Sequence, residues 1–168
     1  MKKIPILVLN LSPLQEEKIK ECLNFSCFKI VHDESEIDDF YVVVNEVDVA
    51  KDFLNLMLWG RQLYMNDEQC AFIDSYTPIK EALPKKASDK VFMRPWFSGF
   101  AFGGWKNKLD TIPKTVSERD LIQSVMDSEG SFVVAPFVSR VTDGVSDDPW
   151  IDNGNYKSIS RNGFHFSS

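Results

Sequence analysis

The chain has few of the residues that most metal and redox sites need. Its 168 residues include three cysteines and two histidines. The cysteines, Cys22, Cys27 and Cys70, form no CxxC pair, and an odd, low number argues against a disulfide framework. We interpret them as small core residues in a reducing compartment. With so few sulfur and imidazole ligands, the sequence predicts no metal site and no cofactor.

Motifs for nucleotide binding and nucleophilic catalysis are also missing. Gly99, Gly103, Gly104 and Lys106 lack the spacing of a phosphate-binding loop, because Trp105 separates the last glycine from the lysine. There is no GxSxG elbow, and the three cysteines are expected on apolar faces rather than beside a base. Paired catalytic carboxylates stay open, because acidic residues are plentiful and their grouping depends on the fold.

Basic charge and long apolar runs are scarce as well. The formal net charge is −6 and the sequence pI is about 4.9. This sign is opposite to what binding of nucleic acid or an anionic membrane surface needs. The apolar run at the start is too short to span a membrane, is interrupted by Pro5 and lacks a small-residue cleavage site. We therefore expect a cytoplasmic protein that binds neither nucleic acid nor membrane.

The composition is typical of one globular domain. Hydrophobic residues make up 43% of the chain and charged residues 26%, which is enough apolar side chain for a core. Phenylalanine, with 13 residues, is abundant and predicts an aromatic core. We therefore treat residues 1–168 as a single domain.

Apolar runs, helix caps and turn residues predict the secondary structure. The predicted helices are Pro13 to about Leu23, Asp48–Tyr64, a short piece from Pro78 to Leu83, and a helix capped at Ser117 that ends at Gly130. The predicted strands are Ile4–Leu9, Cys27–Val31, Phe40–Asn45, Gln69–Asp74, Val91–Met93 and Phe132–Val138.

This alternation of strands and helices favours an α/β domain with a mixed β-sheet and about three helices. We expect the sheet to be parallel at the front. An antiparallel hairpin is expected at the C-terminus, because Asn162-Gly163 is a strong hairpin turn signal. An α+β arrangement is the alternative.

One stretch, RPWFSGFAFGGWKNK at residues 94–108, is rich in both aromatic residues and glycines. The glycines predict a loop or a bulged hairpin rather than a regular strand. Exposed aromatics rimmed by basic residues match the composition of interface hot spots. We expect Trp96 to be buried and Trp105 to be exposed. The candidate partner-binding residues here are Trp96, Phe102 and Trp105, and the alternative is that all the aromatics pack under the sheet.

Acidic residues are concentrated in two segments. The first segment, between two predicted strands, is expected to be a loop whose negative field attracts a basic surface. The second is the polar tail loop around Asp147 and Asp148, read as a solvated loop that could also anchor a partner. For the first segment too, the alternative is a solvated loop without a partner. The candidate residues of the first segment are Asp33, Glu34, Glu36, Asp38 and Asp39.

The front half resembles a response-regulator receiver domain. Ile4–Leu9 is similar to the first strand of that family, Phe40–Asn45 to its phosphoacceptor strand, and Arg94-Pro95 stands where the family usually has Lys-Pro. Asn10 replaces the acidic pair, and Asn45 or Asp48 would have to replace the phosphoacceptor. The resemblance covers about half of the chain. It implies an inactive phosphorelay site and a protein-binding role.

Taken together, these features predict a non-enzymatic, acidic protein that binds a protein partner with a basic surface. The sharpest form of this prediction is an immunity protein or inhibitor that neutralises a toxin or enzyme by occlusion. Two alternatives stay open. One is a small α/β enzyme that uses carboxylates which the sequence cannot group, and the other is a degenerate receiver-like signalling domain.

Overall fold

The computed structural model describes residues 2–22, 27–77, 89–141, 159–160 and 162–166. In this part of the chain, one mixed sheet of eight strands carries three helices, which confirms the predicted α/β class. The strands are β1 (Ile4–Leu9), β2 (Phe28–Val31), β3 (Phe40–Asn45), β4 (Cys70–Asp74), β5 (Lys90–Arg94), β6 (Ala101–Trp105), β7 (Phe132–Pro136) and β8 (His165–Phe166). The helices are α1 (Pro13–Cys22), α2 (Phe53–Tyr64) and α3 (Val116–Glu129), with a 3-10 turn at Glu34–Glu36.

The strand order across the sheet is β2-β1-β3-β6-β4-β7-β5-β8. The front three strands are parallel, as the sequence predicts, and β4 is parallel to β7. Strand β6 runs antiparallel between β3 and β4, and β5 runs antiparallel to β7. A receiver shares the order 2-1-3 at the front but continues with parallel strands. The resemblance to receivers therefore ends at β3.

Both faces of the sheet are covered, because strand residues alternate between two cores. In β3, Phe40, Val42 and Val44 point to the core under α1 and α2, whereas Tyr41 and Val43 point to the core under α3. The continuous apolar character of the strand follows from this double coverage. The phenolic oxygen of Tyr41 is buried without a hydrogen-bond partner, and burial raises the pKa of this phenol.

Helix α1 begins as predicted. The Gln15 backbone N–H donates to the Ser12 hydroxyl at 3.2 Å, and the Ser12 N–H donates to the Gln15 side chain at 2.9 Å, which is a reciprocal capping box. Ile19 faces the core, but Leu14, expected on the same face, is 68% exposed. The side chains of Cys22 and Leu23 lie outside the described residues.

Helix α2 begins at Phe53 rather than at Asp48. The five residues before it are extended or turned, because Val49 forms a bridge with Val141 and the Asp52 carboxylate is bound to Arg140. These tertiary contacts override the helical pattern. Gly60, inside the helix, sits against β4, and a Cβ there would lie 2.5 Å from the Ile73 side chain.

Helix α3 is capped by Thr115 and not by Ser117. The Thr115 hydroxyl accepts a hydrogen bond from the Glu118 N–H, and Gly130 ends the helix with a left-handed φ of 67°, as its sequence predicts. Ile122 and Met126 are buried, whereas Leu121 is exposed. The short helix expected at residues 78–83 lies outside the described residues.

The C-terminal strand pairs differently from our expectation. A turn is present, since the Gly163 N–H donates to the Ser160 carbonyl. However, β8 pairs parallel with β5, and antiparallel pairing across the turn does not occur within residues 159–160 and 162–166. The reason is packing, because Phe164 and Phe166 both contact the Trp59 ring.

Candidate functional site

The aromatic, glycine-rich stretch is divided between two kinds of structure. Residues 95–100 have no regular structure, and residues 101–105 form the central strand β6. The prediction of a loop or bulged hairpin is therefore wrong for Ala101–Trp105. Gly103 and Gly104 belong in this strand because bulky neighbours press on it. A Cβ at Gly103 would lie 2.7 Å from the Phe40 ring, and one at Gly104 would lie 2.8 Å from the Tyr41 oxygen.

The exposure of the two tryptophans is the reverse of our expectation. Trp96 is 39% exposed, whereas Trp105 is 3% exposed and packs on Phe40 with ring centroids 5.1 Å apart. Phe102 is fully buried in the core under α3. Phe102 and Trp105 are therefore core residues, and neither presents a surface to a partner in this structure. Trp96 keeps its candidate role.

The Trp96 ring stacks on the guanidinium of a buried ion pair. The Arg94 guanidinium carbon lies 3.5 Å from the centre of the Trp96 ring, within the range of a cation–π contact. The same guanidinium donates to the Asp74 carboxylate at 2.6 Å and to the Tyr76 carbonyl at 2.6 Å. Its Nε donates to the Trp96 carbonyl at 3.1 Å. Arg94 thus fixes both the ring and the backbone of Trp96.

The Asp74 carboxylate is satisfied from several sides. It accepts hydrogen bonds from the Ser98 hydroxyl at 2.6 Å, the Ser98 N–H at 2.9 Å and the Ser75 N–H at 2.8 Å. The side chains of Asp74 and Arg94 are 0% and 3% exposed. Burial lowers the pKa of Arg94, and the Asp74 charge opposes this effect. A buried ion pair with this many hydrogen bonds holds its geometry tightly.

Side chains of helix α3 form hydrogen bonds with the backbone of residues 95–98. The Gln123 side chain accepts a hydrogen bond from the Phe97 N–H at 2.8 Å and donates one to the Pro95 carbonyl at 2.9 Å. Arg119 donates to the Ser98 carbonyl at 3.1 Å. The backbone of residues 95–98 is therefore fixed on both sides, by Arg94 and Asp74 below and by α3 above.

Two neighbours of Trp96 are also exposed. Met93 is 54% exposed, and Pro95 is exposed as well. We call Met93, Pro95 and Trp96 the Trp96 surface. It adjoins a shallow groove of about 410 Å³ between the end of β5 and the end of α3. Sequence reasoning missed Met93 and Pro95, although these two residues flank Arg94 in the chain and Pro95 directly precedes Trp96.

The acidic loop is exposed as predicted, but part of its charge is compensated. All five candidate acids lie at the surface: Asp33, Glu34, Glu36, Asp38 and Asp39. Lysines lie against three of them, in the pairs Lys114–Glu34, Lys29–Glu36 and Lys2–Asp38. The loop lies on the α3 side of the sheet, since Ile37 and Phe97 share one core. The acidic loop therefore lies on the same face of the sheet as Phe97, the residue that follows Trp96.

Hydrogen bonds stabilise the ionised form of two of these acids. The Ser35 N–H lowers the pKa of Asp33, and the Lys2 ammonium lowers the pKa of Asp38. The other acidic candidates, Asp147 and Asp148 in the tail loop, lie outside the described residues.

A second cavity, lined by both polar and apolar residues, lies at the carboxyl edge of β3. Its volume is about 160 Å³, and it is lined by Asn45, Glu46 and the start of α3, including Lys114 and Arg119. The side-chain oxygen of Asn45 is buried without a partner, while its NH₂ donates to the Lys114 carbonyl at 3.1 Å. Glu46 has a left-handed φ of 58°. Both cations already have acceptors, in Glu34 for Lys114 and in the Ser98 carbonyl for Arg119.

A further buried ion pair stabilises the loops at the other face. Arg140 and Asp52 are both fully buried, and the Arg140 Nε and Nη2 atoms lie 3.0 Å and 3.1 Å from the two carboxylate oxygens. The Asp52 carboxylate also accepts from the Ile159 N–H. This pair ties the segment before α2 to the segment after β7, which is a structural role.

Groups with catalytic potential are dispersed in the described residues. His32 and His165 are exposed and far apart in the fold, near α1 and β5. Cys70 is buried and Cys27 half-buried, and burial raises the pKa of the Cys70 thiol to about 12. Within residues 2–22, 27–77, 89–141, 159–160 and 162–166, no three His, Cys, Asp or Glu residues converge as metal ligands.

None of the described helices is both long enough and apolar enough to cross a bilayer. The chain matches no protein-family model, and its sequence matches no curated protein significantly.

Proposed function

We propose that this protein is a non-enzymatic binding protein that docks on a protein partner, with Trp96 as its anchor. The observation that carries the proposal is an exposed tryptophan held on a buried Arg94–Asp74 pair. An immunity protein or inhibitor that occludes the active surface of a toxin or enzyme is the form of binding protein that we favour.

The energetic argument rests on preorganisation. An exposed tryptophan that is fixed before binding loses little conformational entropy when a partner covers it. Tryptophan is also among the residues that dominate binding energy at protein interfaces. Arg94 stacks on the Trp96 ring and donates a hydrogen bond to the Trp96 carbonyl. Gln123 donates a hydrogen bond to the carbonyl of the neighbouring Pro95. These contacts support a rigid apolar anchor rather than a mobile side chain.

The charge of the molecule favours a basic partner. The net charge is −6, and the acidic loop lies on the same face of the sheet as Phe97, which follows Trp96. Surface lysines partly neutralise the negative charges of Glu34, Glu36 and Asp38. Long-range steering of a partner therefore depends on the negative charge that remains on the molecule. Such steering raises association rates more than it raises affinity.

A small-molecule role for the carboxyl-edge cavity is the second candidate. The buried, unpartnered oxygen of Asn45 favours it, because such an atom is satisfied by a ligand or water that donates a hydrogen bond. Ligands of α/β sheets commonly bind at this edge. Turnover of a nucleotide or ester by the purified protein, abolished by Asn45→Ala, would establish this function in place of the first.

Affinity capture from the native host tests the first proposal. The wild-type protein, the Trp96→Ala variant and a Leu14→Ala control would serve as baits. Leu14 is 68% exposed on α1, so its loss removes a similar exposed apolar side chain at a distance from the Trp96 surface. We expect one protein, identified by mass spectrometry, to be retained by the wild type and the control and lost with Trp96→Ala. Equal retention by all three baits would refute an anchoring role for Trp96.

A further inference from the structure

The groove beside the Trp96 surface is asymmetric in chemistry. Four of its lining residues are apolar: Met93, Pro95, Met126 and Phe132. Asp127, Gly130 and Ser131, which also line it, lie at the C-terminal end of α3. The groove therefore combines an apolar lining with a polar group of residues at the end of this helix.

In the part of the chain that the structure describes, no lysine, arginine or histidine pairs with Asp127 at the end of α3. The carbonyl end of a helix has a partial negative charge, which lysine or arginine in the last turn usually offsets. The last turn of α3 contains no basic residue. The exposed Asp127 carboxylate adds a full negative charge there and accepts a hydrogen bond from the neutral Gln123 amide at 2.9 Å.

Arg94 lines the groove, but its positive charge does not neutralise Asp127 or the carbonyl end of α3. Its guanidinium donates to Asp74 and to the Tyr76 carbonyl, stacks on Trp96, and is almost fully buried. Its charge is therefore compensated from below. A cation that neutralises Asp127 and the helix end must come from outside this buried pair.

Resting on the proposed function, we infer that the partner inserts a lysine or arginine side chain into this groove. The methylene stem of such a side chain packs on Met93 and Pro95, and its charged head reaches Asp127 and the carbonyl end of α3. An apolar side chain next to it in the partner covers Trp96. The partner chemistry is thus a basic residue with an apolar residue two positions away on the same side of one exposed, extended segment.

Two short peptides test the inference without the natural partner. One is the capped peptide Leu-Ala-Lys-Ala, and the other replaces its lysine with norleucine, which keeps the stem and removes the charge. In ¹⁵N–¹H spectra at millimolar peptide, we expect the lysine peptide to shift the amides of Met93, Asp127 and Ser131. Equal shifts by the norleucine peptide, shifts at other residues only, or no shift would overturn the inference.

Matched charge variants extend the test to the captured partner. Asp127→Asn keeps an acceptor for Gln123 and removes the charge in the groove, whereas Asp120→Asn removes the same charge from an exposed site on the same helix. We expect Asp127→Asn to weaken partner binding about three- to fivefold, as for an exposed ion pair, and Asp120→Asn to leave it unchanged. Equal effects of both variants would overturn the inference.

The two proposals fail in different ways. If Trp96→Ala weakens partner binding and Asp127→Asn does not, the inference about the groove is wrong and the binding function stands. If neither variant weakens binding, the Trp96 surface is not the interface, and both proposals are wrong.

Discussion

The Arg94 guanidinium lies between the exposed Trp96 ring, 3.5 Å from its centre, and the buried Asp74 carboxylate, 2.6 Å away. One side of the guanidinium thus stabilises the core, and the other side supports a surface aromatic. This arrangement couples the position of Trp96 to a buried ion pair. A change at Asp74 is therefore expected to affect both stability and the surface.

The first prediction concerns this ion pair. Asp74→Asn removes the carboxylate charge while keeping the shape of the side chain, so Arg94 is left buried without a counter-charge. We expect the free energy of unfolding to fall by about 3–5 kcal/mol, measured by urea denaturation. Adding Arg94→Met should recover part of the loss, because the uncompensated charge is then gone. A loss below about 1 kcal/mol in the single variant would mean that the pair is not desolvated.

The second prediction separates the two tryptophans by fluorescence. The chain has four tryptophans, so two variants are needed, one that keeps only Trp96 and one that keeps only Trp105, with phenylalanine elsewhere. We expect red-shifted emission that acrylamide quenches readily from Trp96, and blue-shifted, protected emission from Trp105, because their exposed fractions are 39% and 3%. Protected emission from both would contradict the exposure of Trp96.

Much of the fold follows from the sequence alone. The strand bounds Ile4–Leu9 and Phe40–Asn45 were predicted correctly, because continuous apolar runs are typical of strands covered on both faces. The capping residues Ser12 and Gln15 placed the start of α1 correctly. In these elements the local pattern and the tertiary environment agree.

The errors arise where distant side chains decide the local structure. Gly103 and Gly104 suggested a loop, yet they lie in a central strand because Phe40, Tyr41 and Phe72 fill the space that side chains would need. The start of α2 was placed too early because Arg140, distant in sequence, holds Asp52. Neither neighbour is visible in a local window of sequence.

The candidate site was predicted only in part. The sequence drew attention to Trp96 through the unusual aromatic content around it, but it also selected Phe102 and Trp105, which are buried. It missed the Arg94–Asp74 pair, since the two residues are separated by twenty positions and belong to strands that are not adjacent. The Arg94–Asp74 pair is identified by the burial of its two charges, and this burial can be seen only in the three-dimensional structure.

The third prediction is a loss of stability at alkaline pH. Burial raises the pKa of the Cys70 thiol from 9.0 to about 12. Because the pKa of the thiol is raised in the folded state, the stability that the neutral Cys70 side chain contributes is fully present below pH 9. It is lost as the pH rises from 9 toward 12. Above pH 9 the unfolding free energy should fall by about 1.4 kcal/mol for each pH unit.

Denaturation between pH 8 and pH 9.5 measures this effect largely before the buried phenols contribute, because a buried phenol starts to lower stability only near its unfolded pKa of 10.0. Cys70→Ala serves as the control. It lowers stability at every pH by opening a small cavity, but it should flatten the pH dependence. A slope that is unchanged in Cys70→Ala would assign the effect to another group.

The fourth prediction concerns the acidic loop. Reversing Glu36 and Asp39 to lysine should slow association with a basic partner several-fold at low salt, because the attractive field is weakened. The difference should shrink at high salt, where exposed charges are screened within about 10 Å at 0.1 M. Stopped-flow association with the purified partner provides the measurement.

The control for steering is the pair of changes Glu17→Lys and Glu21→Lys on α1. It alters the net charge by the same amount but on the opposite side of the sheet, since Ile19 of α1 and Ile37 of the acidic loop belong to different cores. The control should slow association much less. Equal rates for the wild type and the loop variant at low salt would remove the steering role.

The affinity of Trp96→Ala for the purified partner, measured by calorimetry beside its unfolding free energy, tests the central claim most directly. We predict that binding weakens by about 2 kcal/mol or more, roughly thirtyfold, because an anchor residue is removed. Stability should change by about 1 kcal/mol or less, since the ring is partly in water and contributes mainly its stacking on Arg94. Unchanged affinity, or a loss of binding that only follows a loss of folding, would contradict the claim that Trp96 is an interface anchor.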